Sequence, residues 1–327
     1  MSKKSRKHWR DREDYFAYLA ETARLVDPYV RETITTNLKS LPWLEELLLS
    51  RYRFGKAQLR PAIVRMGYEL AGGKDWPEII PACAAIEAKD TGYYCYDEMI
   101  DICNLDLALM VMGHSFHDLS WVMIDDLKAS SDLLTAIRHE LLCLDLNNMN
   151  GVRIEAEMAK TGSLDEDKYM AKARGLNFWE SALRIGAILG KADTNTIDLI
   201  GQVGQLIGTA YILANDTWEF GKDTLEDFQS GKMTLPIIFA LRETGAEDKA
   251  VLRSLLGKQH SQEEVELIRK IMVRSGAITY GKKRAWELCE IATALLAQFS
   301  ESRARNMLLC SMTMTQQNKY YRVLDQY

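Results

Sequence analysis

Residues 132–160 read DLLTAIRHELLCLDLNNMNGVRIEAEMAK, and their apolar side chains recur at intervals of three and four residues. This spacing places the apolar side chains along one face of an α-helix, and the segment NFWESALRIGAILG (177–190) has the same period. All six prolines lie outside residues 82–235, so this region lacks the residue that most often breaks a helix. No alternating run of apolar and polar residues predicts a strand. The sequence therefore predicts an all-α fold.

Composition and turn signals predict how the chain is divided. Of the 327 residues, 47% are hydrophobic and 27% are charged, which is typical of a soluble globular protein with a large core. Short turn signals interrupt the helical pattern at 71–77, 160–167, 190–193 and 256–264. Ser261 and Glu264 have the S-x-x-E spacing of a capping box, which predicts the start of a helix. Because no long linker or repeat is present, residues 13–327 are predicted to form a single domain, preceded by a flexible arm at residues 1–12.

Charge and cysteine content argue against several classes of protein. The net charge of -5 and the pI near 5.7 do not suit a nucleic-acid-binding protein. A small anionic ligand held by a few lysines and arginines remains compatible with this charge. The six cysteines show no C-x-x-C spacing, and the polar start of the chain is not followed by an apolar segment. These features predict a cytoplasmic protein with reduced thiols, no secretory signal and no membrane span.

The segment YYCYDEMIDIC (93–103) places acidic residues among apolar and aromatic ones. On a helix, Asp97 and Asp101 leave the same face about 6 Å apart along the axis. Two like charges at that distance repel unless a cation lies between them, and carboxylate oxygens are the ligands that Mg²⁺ prefers. The alternative is the solvated face of a surface helix. The apolar neighbours favour the metal site, because buried acids need a partner.

A second acidic segment, AYILANDTWEFGKDTLEDFQSGKMTLPIIFAL, covers residues 210–241. Asn215, Glu219 and Asp223 recur there at four-residue steps, which on one helix would align three oxygen ligands. Lys222 and Lys232 follow closely. Two acidic helices facing each other, with lysines at the rim, would hold a diphosphate bound to Mg²⁺. A solvated acidic face followed by a loop is the alternative for each segment taken alone.

Residues 53–299 resemble the trans-isoprenyl diphosphate synthases, the polyprenyl synthetase family, which have the all-α class I terpenoid synthase fold. Segment 54–73 is similar to the family's G-G-K-R-L-R-P motif, and segment 84–101 is similar to the helix with its first aspartate-rich motif. The remaining similar segments are NGVRIEAEM (150–158), Arg174-Gly175 in place of a Lys-Thr pair, GKDTLEDFQSGKMTLPIIFAL (221–241) and the C-terminal helices (268–299).

This resemblance implies a helical bundle with a central active-site cavity, a homodimer, and an allylic isoprenyl diphosphate as substrate. It implies three Mg²⁺ ions, for which Mn²⁺ could substitute, bound by Asp97, Asp101, Asn215, Glu219 and Asp223, with Glu98 and Asp216 supporting them. The implied diphosphate-binding residues are Arg174, Lys222, Lys232, Arg60 and Lys56. Loss of diphosphate leaves an allylic carbocation, which apolar walls and aromatic faces must shelter. The candidates for that lining are Tyr93, Tyr94, Phe178, Trp179 and Trp218, for each of which core packing is the alternative.

The sequence departs from the family where the second substrate, isopentenyl diphosphate, would bind. Ala57 and Gln58 replace a lysine and an arginine, although Lys56 could compensate by a shift of one residue. Asp90 replaces a histidine, and no arginine follows Asp101 in the next segment. An anionic co-substrate would therefore meet a carboxylate where the family has an imidazole.

The second acidic motif also departs from the family. Asn215-Asp216-Thr217-Trp218-Glu219 replaces D-D-x-x-D and partly matches the N-D-x-x-S-x-x-x-E motif of class I terpene cyclases. We therefore interpret the chain as a terpene synthase that ionises and cyclises one allylic diphosphate. The alternatives are prenyl transfer, to isopentenyl diphosphate or to an unusual acceptor, and a non-catalytic synthase subunit. The C-terminal KYYR (319–322) is predicted to be a solvated tail; the alternative that the resemblance suggests is that Arg322 lies over the mouth of the pocket.

Overall fold

The computed structural model describes residues 3–56, 58–101, 106–324 and 326–327, with side chains from Arg12 onward except those of Ile100 and Asp101. All regular structure in these ranges is helical, which confirms the predicted all-α fold. The α-helices are α1 Lys3–Asn37, α2 Pro42–Arg51, α3 Leu59–Leu70, α4 Ile80–Asp101, α5 Leu107–Asp125, α6 Ser131–Thr161, α7 Glu166–Gly175, α8 Phe178–Leu189, α9 Thr194–Trp218, α10 Glu226–Gln229, α11 Leu235–Glu243, α12 Ala246–Leu255, α13 Gln262–Arg274, α14 Ala277–Leu296, α15 Arg303–Gln316 and α16 Lys319–Leu324. Two short 3-10 helices occupy Trp76–Ile79 and Glu219–Gly221.

Local sequence signals explain where several helices begin. The Asp106 side chain accepts hydrogen bonds from the backbone at the start of α5, and the Asp165 side chain does so at the start of α7. Ser261 and Glu264 form the predicted capping box at the start of α13. Each cap satisfies backbone N–H groups that have no partner within the helix. The structure starts α1 at Lys3, inside the segment predicted as an arm, and the flexibility of that segment stays a prediction.

The chain groups into two compact units. Unit 1 contains Met1–Cys143, Phe178–Gly204 and Phe299–Cys310, and unit 2 contains Leu144–Asn177, Gln205–Gln298 and Ser311–Tyr327. The predicted single domain over residues 13–327 stays a prediction.

Glycines allow close packing of the helices in unit 1. A Cβ atom at Gly186 of α8 would lie 2.1 Å from the carbonyl oxygen of Val64 on α3, so only glycine permits this contact. In the same way, a Cβ atom at Gly92 of α4 would lie 2.6 Å from the His117 ring on α5. These contacts bring together α3, α4, α5 and α8, which carry Arg60, Asp97 and Phe178.

In unit 2, the second half of α9 is buried against α14. A Cβ atom at Gly281 of α14 would lie 2.2 Å from the Thr217 hydroxyl oxygen, so glycine allows the two helices to touch at this point. Thr217 itself is fully buried, and its hydroxyl donates to the carbonyl of Leu213 one turn earlier. This packing fixes the end of α9, where the second acidic motif begins.

Two described helical segments, α5 and Thr194–Gly221, are long and apolar enough to cross a membrane. Buried core helices of soluble proteins meet the same criterion of length and composition. The predicted absence of a membrane span, like the cytoplasmic location, stays a prediction. In unit 2, α6 exposes Leu146 and Met149 by 57% and 63% of their surfaces. An apolar stripe of this kind is compatible with association, but the homodimer stays a prediction.

Candidate active site

The first acidic motif lies at the end of α4 in unit 1. The helix continues through Asp101, as the four-residue spacing predicts, and the Asp97 side chain is exposed. The Asp101 side chain lies outside the described residues, so its role as a metal ligand stays a prediction. Glu98, predicted to support the metal, forms an ion pair with Arg51, with 2.6 Å between Glu98 Oε2 and an Arg51 Nη atom.

Two of the predicted lining residues meet within unit 1. Tyr93 is half-buried, and its ring centroid lies 5.6 Å from that of Phe178 in an edge-to-face contact. Tyr94 is predicted to line the pocket, but 48% of its surface is exposed. The guanidinium groups of Arg51 and Arg53 lie over its ring. Trp179 is buried in unit 1 and Trp218 is buried in unit 2, where it packs against Tyr211 and Tyr321.

The predicted diphosphate residue Arg60 is already engaged by a carboxylate. Its Nε atom lies 3.1 Å from Asp90 Oδ1, and its guanidinium lies 6.0 Å from the centroid of the Phe178 ring. Asp90 also lines a cavity of about 230 Å³ together with Arg51, Arg53, Glu87, Thr91 and Tyr94. Burial and the neighbouring Asp90 raise the pKa of Glu87 to about 8. The Asp90 carboxylate therefore lies beside the arginines of this region, whereas the raised pKa of Glu87 favours its neutral form near neutral pH.

Lys56, predicted to compensate for the missing basic residues, lies in a different cavity. This groove has a volume of about 510 Å³ and is also lined by Arg24, Asp27 and Arg31 of α1. The backbone N–H of Gly55 donates to Asp27 Oδ2 at 2.7 Å, which ties the turn before Lys56 to α1. The structure thus places Arg60 and Lys56 in two separate surroundings within unit 1.

The second acidic motif does not lie on a single helical face, so that prediction is wrong. Helix α9 ends at Trp218, the next three residues form a 3-10 turn, and Lys222 is extended with φ -81° and ψ 161°. Asn215 is half-buried within α9, whereas Asp223 lies beyond the turn and is exposed. The four-residue period is lost because the helix does not continue past Trp218. The metal role predicted for Asp223 stays a prediction without this geometric support.

Asp216 belongs to a buried charge cluster in unit 2. Lys172 Nζ lies 3.0 Å from Glu155 Oε1 and 3.5 Å from Asp216 Oδ2. The Tyr169 hydroxyl donates to Asp216 Oδ2 at 2.8 Å. Burial opposes the charge of Lys172, but Asp216 and Glu155 outweigh it and raise its pKa. We name Glu155, Tyr169, Lys172 and Asp216 the buried cluster.

The 219–222 turn carries a carboxylate and an ammonium side by side. Glu219 is 1% exposed, and its Oε1 accepts a hydrogen bond from the backbone N–H of Asp227 at 3.1 Å. Lys222 Nζ lies 2.7 Å from Glu219 Oε2, which is an ion pair by distance. Apart from this ammonium, no hydrogen-bond donor among the described residues reaches the buried Oε2. Burial and the neighbouring Asp227 raise the pKa of Glu219.

Lys232 extends the positive charge near this turn. Its Nζ lies 3.5 Å from Asp227 Oδ1, and its charge is one of those that lower the pKa of Glu155. The predicted diphosphate residues Lys222 and Lys232 therefore both lie beside buried or half-buried acids of unit 2.

Arg174, also predicted to bind diphosphate, is exposed at the end of α7. The buried cation of this helix is Lys172, two residues earlier, which sequence reasoning missed. The available signal for Lys172 was its position in the helix. It lies three residues after Tyr169 and directly before Ala173, on the face of α7 that is buried. A lysine on a buried helical face needs a carboxylate partner.

The residues of the 219–222 turn suit a hard divalent cation. Among the described residues no group of three or more His, Cys, Asp or Glu side chains is assembled for a metal. Even so, a buried carboxylate whose pKa is raised by burial is stabilised in its charged form by a nearby cation. The amide oxygen of Asn215 and the carboxylate oxygens are of the type that Mg²⁺ binds. Asn215 and Glu219 therefore carry oxygen atoms that suit Mg²⁺, and binding of the ion stays a prediction.

Comparisons with known proteins agree with these features. The family profile described as Polyprenyl synthetase matches residues 110–272. A geranylfarnesyl diphosphate synthase of Aeropyrum pernix is 23% identical over 316 residues, covering 89% of this chain and 97% of the relative. A geranylgeranyl diphosphate synthase of Saccharolobus solfataricus is 23% identical, covering 89% of this chain and 93% of the relative.

The crystal structure of a geranylgeranyl pyrophosphate synthetase from Pyrococcus horikoshii superposes with a TM-score of 0.83 at 20% identity, over 94% of this chain and 99% of the other. This similarity confirms the class I terpenoid synthase fold. The profile match, the relatives and the fold together show that the chain belongs to the polyprenyl synthetase family.

Proposed function

We propose that this protein is a Mg²⁺-dependent prenyltransferase that ionises an allylic isoprenyl diphosphate and transfers the prenyl group to an acceptor. The observation that carries this proposal is the 219–222 turn, where the buried acceptor oxygen of Glu219 lies beside the Lys222 ammonium. Metal and diphosphate binding need these two kinds of group next to each other. The relatives are named as diphosphate synthases, which favours prenyl transfer over the cyclase interpretation of the sequence.

The roles of the residues follow from their charges and surroundings. Asp97 and Asp101 would hold Mg²⁺ at α4, and Asn215 and Glu219 would hold it in unit 2. When bound, Mg²⁺ supplies Lewis-acid stabilisation of the leaving diphosphate. The ammonium groups of Lys222 and Lys232 stabilise the negative charge that develops on the same leaving group.

The carbocation requires a different environment from the diphosphate. The edge-to-face pair of Tyr93 and Phe178 presents aromatic surface, whose electron-rich faces stabilise a cation. Trp179, the next residue in the sequence, is also buried in unit 1, and buried apolar side chains exclude water. These side chains would keep water from quenching the cation before the acceptor reacts.

Cyclisation remains a second candidate function because of one specific observation. The Arg60 guanidinium is paired with Asp90, so a basic residue suited to a second diphosphate already has a carboxylate partner. An enzyme that cyclises its allylic substrate needs no second diphosphate.

Product analysis separates these functions. The purified protein is incubated with Mg²⁺ and geranyl, farnesyl or geranylgeranyl diphosphate, with and without isopentenyl diphosphate. Longer prenyl diphosphates formed only with isopentenyl diphosphate would support the proposal. Hydrocarbons or alcohols formed from the allylic diphosphate alone would support cyclisation. If no diphosphate is released under any condition, including a screen of other acceptors, the non-catalytic subunit is the better interpretation.

Asp90→Asn is expected to lower the KM for isopentenyl diphosphate roughly tenfold, because it removes one negative charge and releases Arg60. The KM for the allylic diphosphate should stay unchanged. Steady-state kinetics with each substrate varied in turn measures both constants. The matched control is Asp198→Asn, since Asp198 pairs with Arg184 at 2.9 Å in the same unit and does not line the cavity. An unchanged KM for isopentenyl diphosphate in Asp90→Asn would show that Arg60 is not an acceptor-binding residue.

A further inference from the structure

One buried arginine holds the backbone of the 219–222 turn. Arg269 lies on α13 and is 4% exposed. Its Nε donates to the carbonyl oxygen of Phe220 at 2.9 Å, and one Nη donates to the carbonyl oxygen of Lys222. The two acceptors bracket Gly221. A single guanidinium thus fixes the backbone between the two charged side chains of the turn.

The same guanidinium connects the turn to the C-terminal segment. Its other Nη donates to Glu266 Oε1 at 3.0 Å, and the Tyr327 hydroxyl donates to Glu266 Oε2. Glu266 and Arg269 are three residues apart on α13, so their side chains leave neighbouring positions of the helix surface. A continuous series of contacts therefore runs from Tyr327 to the turn.

Helix α16 makes a second contact with the turn. A Cβ atom at Gly221 would lie 2.2 Å from the carbonyl oxygen of Tyr320, so glycine is required for this approach. Tyr321 is 5% exposed and packs edge-to-face against Trp218, the residue that ends α9. The prediction that KYYR forms a solvated tail is therefore wrong for Tyr321. Both α13 and α16 restrict the position of the turn.

We infer that Arg269 is a positioning residue, which holds the Glu219 carboxylate and the Lys222 ammonium in the arrangement that binds a divalent cation with its diphosphate. This inference rests on the proposed function. The guanidinium is planar and presents parallel donors that match two nearby carbonyls, whereas a lysine ammonium is a single point charge. Small displacements of positioned groups weaken binding and catalysis strongly. The geometry of the turn, more than its net charge, then depends on Arg269.

Arg269→Lys tests this role because it keeps the charge and loses the planar donors. Isothermal titration measures the affinity for inorganic diphosphate in the presence of Mg²⁺, which we expect to fall about tenfold in the folded variant. Hydrogen exchange in metal-free protein follows the amides of Lys222 and Asp227, which donate to the Glu219 carbonyl and carboxylate. Both amides should exchange faster. A purely structural role would reduce thermal stability while the folded variant kept its affinity.

Arg274→Lys is the matched control on the same helix. Arg274 is more than half exposed and pairs with Asp248 away from the turn, so affinity and exchange should both match wild type. Tyr327→Phe is a second variant, which tests the positioning role of Arg269 if Arg269→Lys does not fold. It removes only a hydroxyl group, from a residue that is 38% exposed. We expect it to weaken diphosphate binding two- to fourfold, because Glu266 loses one hydrogen bond.

Wild-type affinity in folded Arg269→Lys would overturn the inference. If that variant does not fold, wild-type affinity in Tyr327→Phe would do so. A wild-type protein that binds no diphosphate with Mg²⁺ would count against the proposed function instead. In that case amide exchange still tests the positioning role. Unchanged exchange rates at Lys222 and Asp227 in Arg269→Lys would reject that role.

Discussion

Lys172→Met is expected to lower the free energy of unfolding by about 3–5 kcal/mol, the typical cost of removing one partner from a buried ion pair. Lys172 is 3% exposed, and its ammonium contacts Glu155 and Asp216 at 3.0 and 3.5 Å. Methionine has a similar length but no charge. Both carboxylates would therefore stay in their present surroundings without the cation. Chemical denaturation near neutral pH measures the change.

This destabilisation should depend on pH in a defined direction. Burial opposes ionisation of Glu155, but the charges of Lys172 and Lys232 outweigh it and lower its pKa below the ordinary value of 4.5. In wild type, this carboxylate therefore stabilises the fold above that pH, and the contribution is lost as the pH falls. Lys172 shows the opposite dependence on pH, because its pKa is raised. Its contribution to the stability of the fold is present below its ordinary pKa of 10.5 and is lost only at higher pH.

Burial already raises the pKa of Asp216 in wild type, although Lys172 opposes the shift. In Lys172→Met, the pKa values of both carboxylates would rise, and both would take up protons readily on acidification. The difference from wild type should be largest near neutral pH and should shrink as the pH approaches about 4. Lys168→Met is the matched control on the same helix, since Lys168 is 49% exposed and pairs with Glu157 at the surface. Its stability should be nearly unchanged. Equal effects of the two variants would contradict the buried cluster.

The helices could be predicted from the sequence because their signals are local. The apolar period of residues 132–160 predicts α6, and the capping box at Ser261 predicts the start of α13; the structure confirms both. Neither signal depends on contacts with a distant part of the chain. The same is true of the acidic spacing in α4, whose helix continues through Asp101.

The arrangement of the candidate site could not be predicted in the same way. The four-residue steps from Asn215 assume a continuous helix, but α9 ends at Trp218 because the following backbone is held by contacts with other elements. Arg269 supplies two of these contacts from 49 and 47 residues away in the sequence. Lys172 likewise reaches Asp216 across 44 residues. Pairings over such distances leave no periodic signal in the sequence.

Glu219→Gln is expected to reduce diphosphate release about a hundredfold or more, as loss of a group that stabilises developing charge commonly does. It should also leave metal-free protein at least as stable as wild type. Glutamine keeps the oxygen that accepts from the Asp227 backbone N–H. It also removes a buried charge that Lys222 compensates only in part, as the raised pKa of Glu219 indicates. The measurements are a diphosphate-release assay and thermal unfolding, each with and without Mg²⁺.

The sign of the stability change follows from the raised pKa of Glu219. Burial, reinforced by Asp227, favours the protonated form in the folded state, so ionised Glu219 destabilises metal-free wild type increasingly as the pH rises above the ordinary value of 4.5. The glutamine variant lacks this dependence. Mg²⁺ with diphosphate should raise the Tm of wild type more than that of the variant, since ligand binding stabilises in proportion to affinity.

Glu226→Gln is the control for this prediction. Glu226 is exposed in the same segment and accepts from the Thr224 hydroxyl at 3.3 Å, so both activity and metal-dependent stability should match wild type. A buried carboxylate kept only for packing would lose stability on substitution and leave activity intact. Substitution of a metal ligand would instead reduce activity and leave the stability of metal-free protein unchanged or higher. The charge that binds the cation destabilises the fold when no cation is present. Activity near wild type in Glu219→Gln would therefore exclude Glu219 as a metal ligand, whatever happens to stability.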